Sequence, residues 1–139
     1  MKIVFLQLPL LDHGYNYVAG NIANASATLQ AFCLSNYRTK INAVQLPQPI
    51  QNFCSDPIIV NTILQHEPTH VAFTCYLWNV ERSQAIAKTL KALTPEVTIL
   101  FGGPEIQLRS HILQLHHPEI DLFIIGEGEF FFQHYIQNT

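Results

Sequence analysis

The sequence is poor in charge, and in positive charge above all. Charged residues make up 12% of its 139 positions, and seven Lys and Arg stand against ten Asp and Glu, for a net charge of −3 at pH 7. A binder of nucleic-acid backbone needs a basic surface, so that class of partner is not expected. Long hydrophobic runs are lacking too. Nothing approaches the roughly 20 apolar residues of a membrane-spanning helix, so no membrane partner is expected. The opening MKIVFLQLPLL carries one lysine and an apolar stretch but no small-residue cleavage site, and it reads as a first strand rather than an export signal. A cytoplasmic location follows. Cysteine is scarce: Cys33, Cys54 and Cys75 are an odd set that builds no disulfide framework. Their spacing of 21 residues is not that of a metal-ligand pair, where partners sit about two to four residues apart. Free, buried or partly buried thiols and no metal site are the expectation. Glycine is scarce as well. There are six, and four of them fall in two places, Gly102-Gly103 and Gly126-Glu127-Gly128.

What is present is an alternation. Apolar runs at 2–8, 41–46, 70–76, 96–101 and 121–125 read as strands, and most have no polar face. Short, continuously apolar strands belong to a parallel sheet covered on both sides. Between them lie helix-period stretches. The first is 25–36. Asp56 caps a second, with Pro57 at its first position, running to about His66. Asn79 caps a third, whose Ile86, Ala87, Leu90 and Leu93 recur at helical spacing until Pro95 ends it. Residues 105–117 and 127–137 supply two more. The resulting βαβαβαβαβα order predicts one α/β domain over 1–139, a three-layer doubly wound parallel five-stranded sheet of flavodoxin-like order 2-1-3-4-5.

In such a sheet ligands bind beyond the carboxyl ends of the strands. Both glycine clusters fall there, Gly102-Gly103 after the fourth strand and Gly126-Glu127-Gly128 after the fifth. Either they make tight turns only, or they leave bare backbone for a ligand to lie against. Two such exits on adjacent strands favour the ligand. The segment PLLDHGYNYVAGNIAN, 9–24, follows the first strand and is long for a connection of this kind. Its Tyr15, Asn16, Tyr17, Asn21 and Asn24 suit the cover of a large planar ligand.

Other uses of this architecture do not fit. A phosphorelay receiver needs an acidic pair after strand one, an Asp ending strand three and a Lys after strand five. Those places hold Gln7-Leu8-Pro9, Thr74-Cys75-Tyr76 and Gly126-Glu127-Gly128. A flavodoxin needs a Ser/Thr-rich phosphate loop where this chain has PLLDHGYN. Cys75 has no evident base and reads as core. Glu127 and Glu129 are two apart, do not share a helix face, and suit a helix start electrostatically. No self-contained catalytic set emerges.

The stretch VAFTCYLWNVERSQAIAKTLKALTPEVTILFGGPEI, followed by IDLFIIGEGEFFF, resembles the N-terminal cobalamin-binding domain of cobalamin-dependent radical S-adenosylmethionine enzymes. That class includes the anaerobic magnesium-protoporphyrin monomethyl ester cyclase and many methylases. The matching pieces are Thr74-Cys75-Tyr76-Leu77-Trp78-Asn79, Gly102-Gly103-Pro104-Glu105 and Gly126-Glu127-Gly128-Glu129. The resemblance implies cobalamin as cofactor, with its corrin ring over the strand ends and its nucleotide tail in a groove beside the sheet. It gives Thr74 a place in the tail pocket and makes Gly102, Gly103 and Pro104 one wall. Gly126, Glu127 and Gly128 make the other. Tyr76, Leu77 and Trp78 would lie at the corrin. Some cobalamin folds place a cobalt-ligating His after strand one in an Asp-x-His-x-x-Gly motif. Asp12-His13-Gly14 has the wrong spacing, so His13 reads as an exposed loop histidine.

In the family a reaction domain follows, with a Cys-x-x-x-Cys-x-x-Cys motif for a 4Fe-4S cluster that works with S-adenosylmethionine. This chain reaches Thr139 without it, so the expectation is the N-terminal fragment of a longer enzyme, not catalytic alone. Two alternatives stay open: a flavodoxin-like interaction domain without cofactor, and a stand-alone cobalamin carrier or sensor. The groove assignment also predicts that Gly103→Val blocks the tail slot and leaves the fold largely intact.

Overall fold

The computed structural model of the chain describes residues 1–10 and 21–139. Its strands are β1 (Lys2–Leu6), β2 (Asn42–Gln45), β3 (His70–Thr74), β4 (Thr98–Gly102) and β5 (Leu122–Phe123). Its helices are α1 (Asn24–Tyr37), α2 (Gln48–Phe53), α3 (Asp56–Gln65), α4 (Val80–Leu93), α5 (Pro104–His116) and α6 (Gly128–Gln137). The sheet is parallel throughout, in the order β2-β1-β3-β4-β5. This is the α/β flavodoxin-like arrangement the sequence predicts.

The continuous apolar runs are explained by two half-cores. Strand side chains alternate between faces. Val4, Leu6, Val71, Phe73, Ile99 and Phe101 point to one side, where α3, α4 and α5 cover them. Ile3, Phe5, Ala72 and Leu100 point to the other, under α1 and α6. Each side carries an aromatic pair. Phe73 and Phe101 sit 5.0 Å apart on the first face, and Phe5 meets Phe132 edge-on at 5.3 Å on the second. Such pairs contribute about 0.5–1.5 kcal/mol beyond their buried area. Of the run Phe130-Phe131-Phe132, only Phe132 is core; Phe130 is exposed.

The structure departs from the sequence reading in four places. Helix α2 is additional, a single short element between β2 and α3. Helix α3 has Ser55, not Asp56, at its cap; Asp56 is its first residue and Pro57 its second. Strand β5 is two residues long, and just before it the Asp121 carboxylate accepts from the Ile99 N–H. Asn79 does occupy the cap position of α4, but its side chain makes no bond into that helix. No described helix is long and apolar enough to cross a membrane.

Candidate functional site

The parallel order brings the ends of β3, β4 and β5 side by side. Thr74 pairs with Gly102 at the last rung of β3 and β4. At this edge a cleft of about 320 Å³ opens between α1 and α6. Its floor is Phe5, Ala72 and Phe73 from the sheet. Gly102, Gly103 and Thr74 line one side, and Ile124 with Gly126, Glu127, Gly128 and Glu129 the other. Helix α1 closes it with Ala25, Thr28 and Leu29. The Thr74 hydroxyl is nearly buried and lies 3.4 Å from that of Ser26.

Six of the ten sequence-predicted residues thus line one cleft: Thr74, Gly102, Gly103, Gly126, Glu127 and Gly128. The other four stand outside its lining. Pro104 is an exposed first residue of α5. Tyr76, Leu77 and Trp78 follow β3 at the same edge of the sheet. The Tyr76 and Trp78 rings stack with centroids 4.6 Å apart and planes 5° from parallel. Leu77 is 67% and Trp78 50% exposed. Leu10, after β1, and Ile125, after β5, are exposed as well. These apolar side chains all belong to the carboxyl edge, so the cleft opens beside an apolar rim. Large apolar groups gathered in the open commonly mark an interaction site.

The glycines do not all serve the cleft in the same way. Gly103 has φ 104° and ψ 176°, a region open essentially to glycine alone. A Cβ there would lie 2.6 Å from the Cys75 carbonyl oxygen and 2.9 Å from its nitrogen. Two backbone bonds explain the closeness: Cys75 N–H donates to Gly102 O at 2.7 Å, and Glu105 N–H donates to Cys75 O at 3.3 Å. Gly103 is therefore required by the fold, and the expectation that Gly103→Val leaves the fold intact is overturned. At Gly102 a Cβ would approach Ile124, and at Gly128 it would meet Leu29 at 2.8 Å. Both neighbours line the cleft, so a side chain at either position would narrow it.

Sequence reasoning missed the contribution of α1, and also Glu129 and Ile124. The small residues Ala25, Ser26, Ala27 and Thr28 at a helix start facing the binding edge were the available signal. Asn21 does not face a ligand as expected. It is buried, with Nδ2 donating to Gln7 O and to Asn52 Oδ1, and Oδ1 accepting from Gln7 Nε2. Asn24 is an exposed first residue of α1. His13, Tyr15, Asn16 and Tyr17 lie outside the described residues. Burial pushes the Cys75 thiol strongly up from its ordinary value, and burial followed by the nearby Glu129 charge pushes Cys33 up to about 11. Neither is a thiolate nucleophile at neutral pH. Among the described residues, no three His, Cys, Asp or Glu side chains gather as a metal site would need.

A parallel sheet of this order with a cleft at its carboxyl edge is the arrangement of an α/β ligand-binding domain. The comparison with known proteins says which. The B12 binding domain family matches residues 13–136, and the chain belongs to that family. It is 37% identical over 67 residues to the cobalamin-dependent radical SAM methyltransferase TokK of Streptomyces tokunonensis, a stretch covering 48% of this chain and 10% of that protein. It is 33% identical over 63 residues to the 2-(S-pantetheinyl)-carbapenam-3-carboxylate methyltransferase of Streptantibioticus cattleyicolor, covering 45% and 9% respectively. The matched stretches thus span about a tenth of the length of these relatives.

The residues present fit a cobalamin tail better than a whole cobalamin. A volume of about 320 Å³ is at the low end for small-molecule sites, roughly 300–1,000 Å³, and is too small for a corrin macrocycle. Among the described residues no Lys, Arg or His lines the cleft, while Glu127 and Glu129 do. An aromatic, uncharged end suits such walls and a phosphate does not.

Proposed function

We propose that this chain holds cobalamin for a radical S-adenosylmethionine methyltransferase, whose reaction is carried out by a separate domain with a 4Fe-4S cluster and S-adenosylmethionine. The observation that carries the reading is the cleft at the β3, β4 and β5 exits, opening beside an exposed apolar rim. Family membership supports the cofactor, and the names of the two relatives support the reaction class.

In this reading the base end of the tail enters between Thr74, Gly102 and Gly103 on one side and Gly126, Glu127 and Gly128 on the other. The Thr74 hydroxyl offers a polar contact at depth. The tail phosphate stays at the mouth, away from the two carboxylates, and Pro104 flanks the exit of β4. Tyr76, Leu77 and Trp78, with Leu10 and Ile125, underlie the corrin. Each 100 Å² of apolar surface covered there contributes roughly 2.5 kcal/mol. Bound cobalamin supplies the methyl-transfer chemistry; the residues of this chain bind, orient and keep water from its apolar face. The three free thiols suit a reducing compartment, and we place the module in the cytoplasm.

The test is direct. The protein is incubated with hydroxocobalamin and desalted, and its visible spectrum is recorded. Retained corrin absorbance near one equivalent is the expected result. A colourless protein at micromolar concentration refutes cobalamin binding and favours an interaction domain. Retention alone leaves a carrier or sensor in play, and methyl transfer on adding a radical S-adenosylmethionine domain distinguishes them.

A further inference from the structure

We propose that Asn79 is a positioning residue that locks the cleft and the aromatic rim to one another, an inference that rests on the corrinoid reading above. An Asn at a helix cap ordinarily turns its side-chain oxygen forward onto the first helical N–H groups. Asn79 does the opposite. It is fully buried, and its side chain faces back toward the strand exits. Its Oδ1 accepts from Tyr76 N–H at 2.8 Å. Its Nδ2 donates to Leu8 O at 2.8 Å and to Thr74 O at 3.1 Å.

These three partners are the pieces that need alignment. Thr74 presents its hydroxyl to the cleft. Tyr76 carries the stack with Trp78. Leu8 belongs to the chain leaving β1. The β1–β3 ladder ends at Leu6 opposite Phe73, so Asn79 continues the connection past the point where backbone pairing stops. The turn itself is closed by Asn79 N–H to Tyr76 O at 3.1 Å, and the Ser83 hydroxyl donates to Asn79 O at 2.8 Å. An uncharged amide, with two N–H donors and an acceptor oxygen, supplies a bond to each of the three partners. Cleft and rim are thereby held in one arrangement before a ligand arrives, which reduces the ordering that binding must impose.

Two substitutions separate this role from simple support. Asn79→Asp keeps the oxygen that faces Tyr76 N–H and removes both donors. Asn79→Ser keeps a capping hydroxyl for α4 but is too short to hold the three partners. Two probes separate the two regions: cobalamin, which needs cleft and rim, and cobinamide, which lacks the nucleotide. Trp78 is the sole tryptophan of the chain, so its emission reports the rim directly.

For Asn79→Asp we expect unchanged Trp78 emission, cobalamin binding weaker by about tenfold or more, and cobinamide binding within about threefold of the parent. For Asn79→Ser we expect shifted Trp78 emission and both ligands weakened. Equal weakening of both ligands by Asn79→Asp is what a purely structural residue gives, and it overturns the proposal; so does unchanged binding in both variants. Should Asn79→Asp not fold, hydrogen exchange of the unmodified protein decides. The Tyr76 amide must exchange as slowly as the amides of β3, and exchange at the rate of an open loop overturns the proposal. An unmodified protein that binds neither corrinoid refutes the proposed function, whereas one that binds cobalamin beside insensitive variants refutes only the role of Asn79.

Discussion

The two glycine-rich exits look alike in sequence and differ in what they need glycine for. After β4, Gly103 lies against the backbone of Cys75, and its conformation is closed to any residue with a Cβ. After β5, Gly126 also has positive φ, at 84°, but a Cβ there would meet nothing within 4 Å. The first exit is tight because β3 and β4 stay bonded beyond their last rung. The second is loose because β5 is a short edge strand that has already ended. Bare backbone at a binding edge is thus not one signal. At Gly103 it reports strand packing, at Gly126 a turn, and at Gly102 and Gly128 room left in the cleft.

That comparison is broken most easily at Gly103. Gly103→Val combines a disallowed backbone region with a collision against main chain that cannot rotate away. We expect a loss of about 3 kcal/mol or more in folding free energy, read from urea unfolding. A Gly103→Val protein that unfolds at the parental urea midpoint would mean that Cys75 yields, and the distinction between the exits would collapse.

Most of the architecture was legible because its cause is local. Short, nearly continuous apolar runs such as His70–Thr74 and Thr98–Gly102 fit a sheet covered on both faces, and α4 between them carries its own period. Helix α2 was not legible. Its sequence QPIQNF has no apolar stripe, and its buried residue is Gln51. Gln51 is held by hydrogen bonds, accepting from Gln7 N–H and donating to Leu46 O. A segment anchored by amides gives hydrophobic periodicity nothing to detect. The site divides the same way. The glycines announce the edge, because glycine is rare in this chain and clusters there. The lining from α1 and the backward-facing Asn79 are products of tertiary approach. Asn79 even sits where a cap is expected, so its residue type is accounted for by the wrong bond.

The next test sharpens the role of the second exit. A Cβ at Gly128 would lie 2.8 Å from Leu29 Cδ2, the movable end of a flexible side chain. Leu29 can turn aside, and because it lines the cleft, turning aside changes the slot. Ala also favours a helical position over Gly by roughly 0.5–1 kcal/mol, which offsets the crowding. For Gly128→Ala we expect unfolding within about 1 kcal/mol of the parent, cobalamin binding weakened about tenfold, and cobinamide binding unchanged. Loss of both ligands together would place the tail elsewhere.

The smallest effect is expected at Gly126, and it isolates conformation from contact. Since nothing lies near the missing Cβ, any penalty must come from φ alone. Placing an L-residue in the left-handed region costs about 1–2 kcal/mol, and less for Asn, which tolerates it. Gly126→Ala should therefore lower the urea midpoint by an amount worth about 1 kcal/mol, and Gly126→Asn by less. If Gly126→Ala and Gly126→Asn lower the midpoint equally, positive φ is not what this turn needs glycine for, and the contrast with Gly103 rests on packing alone.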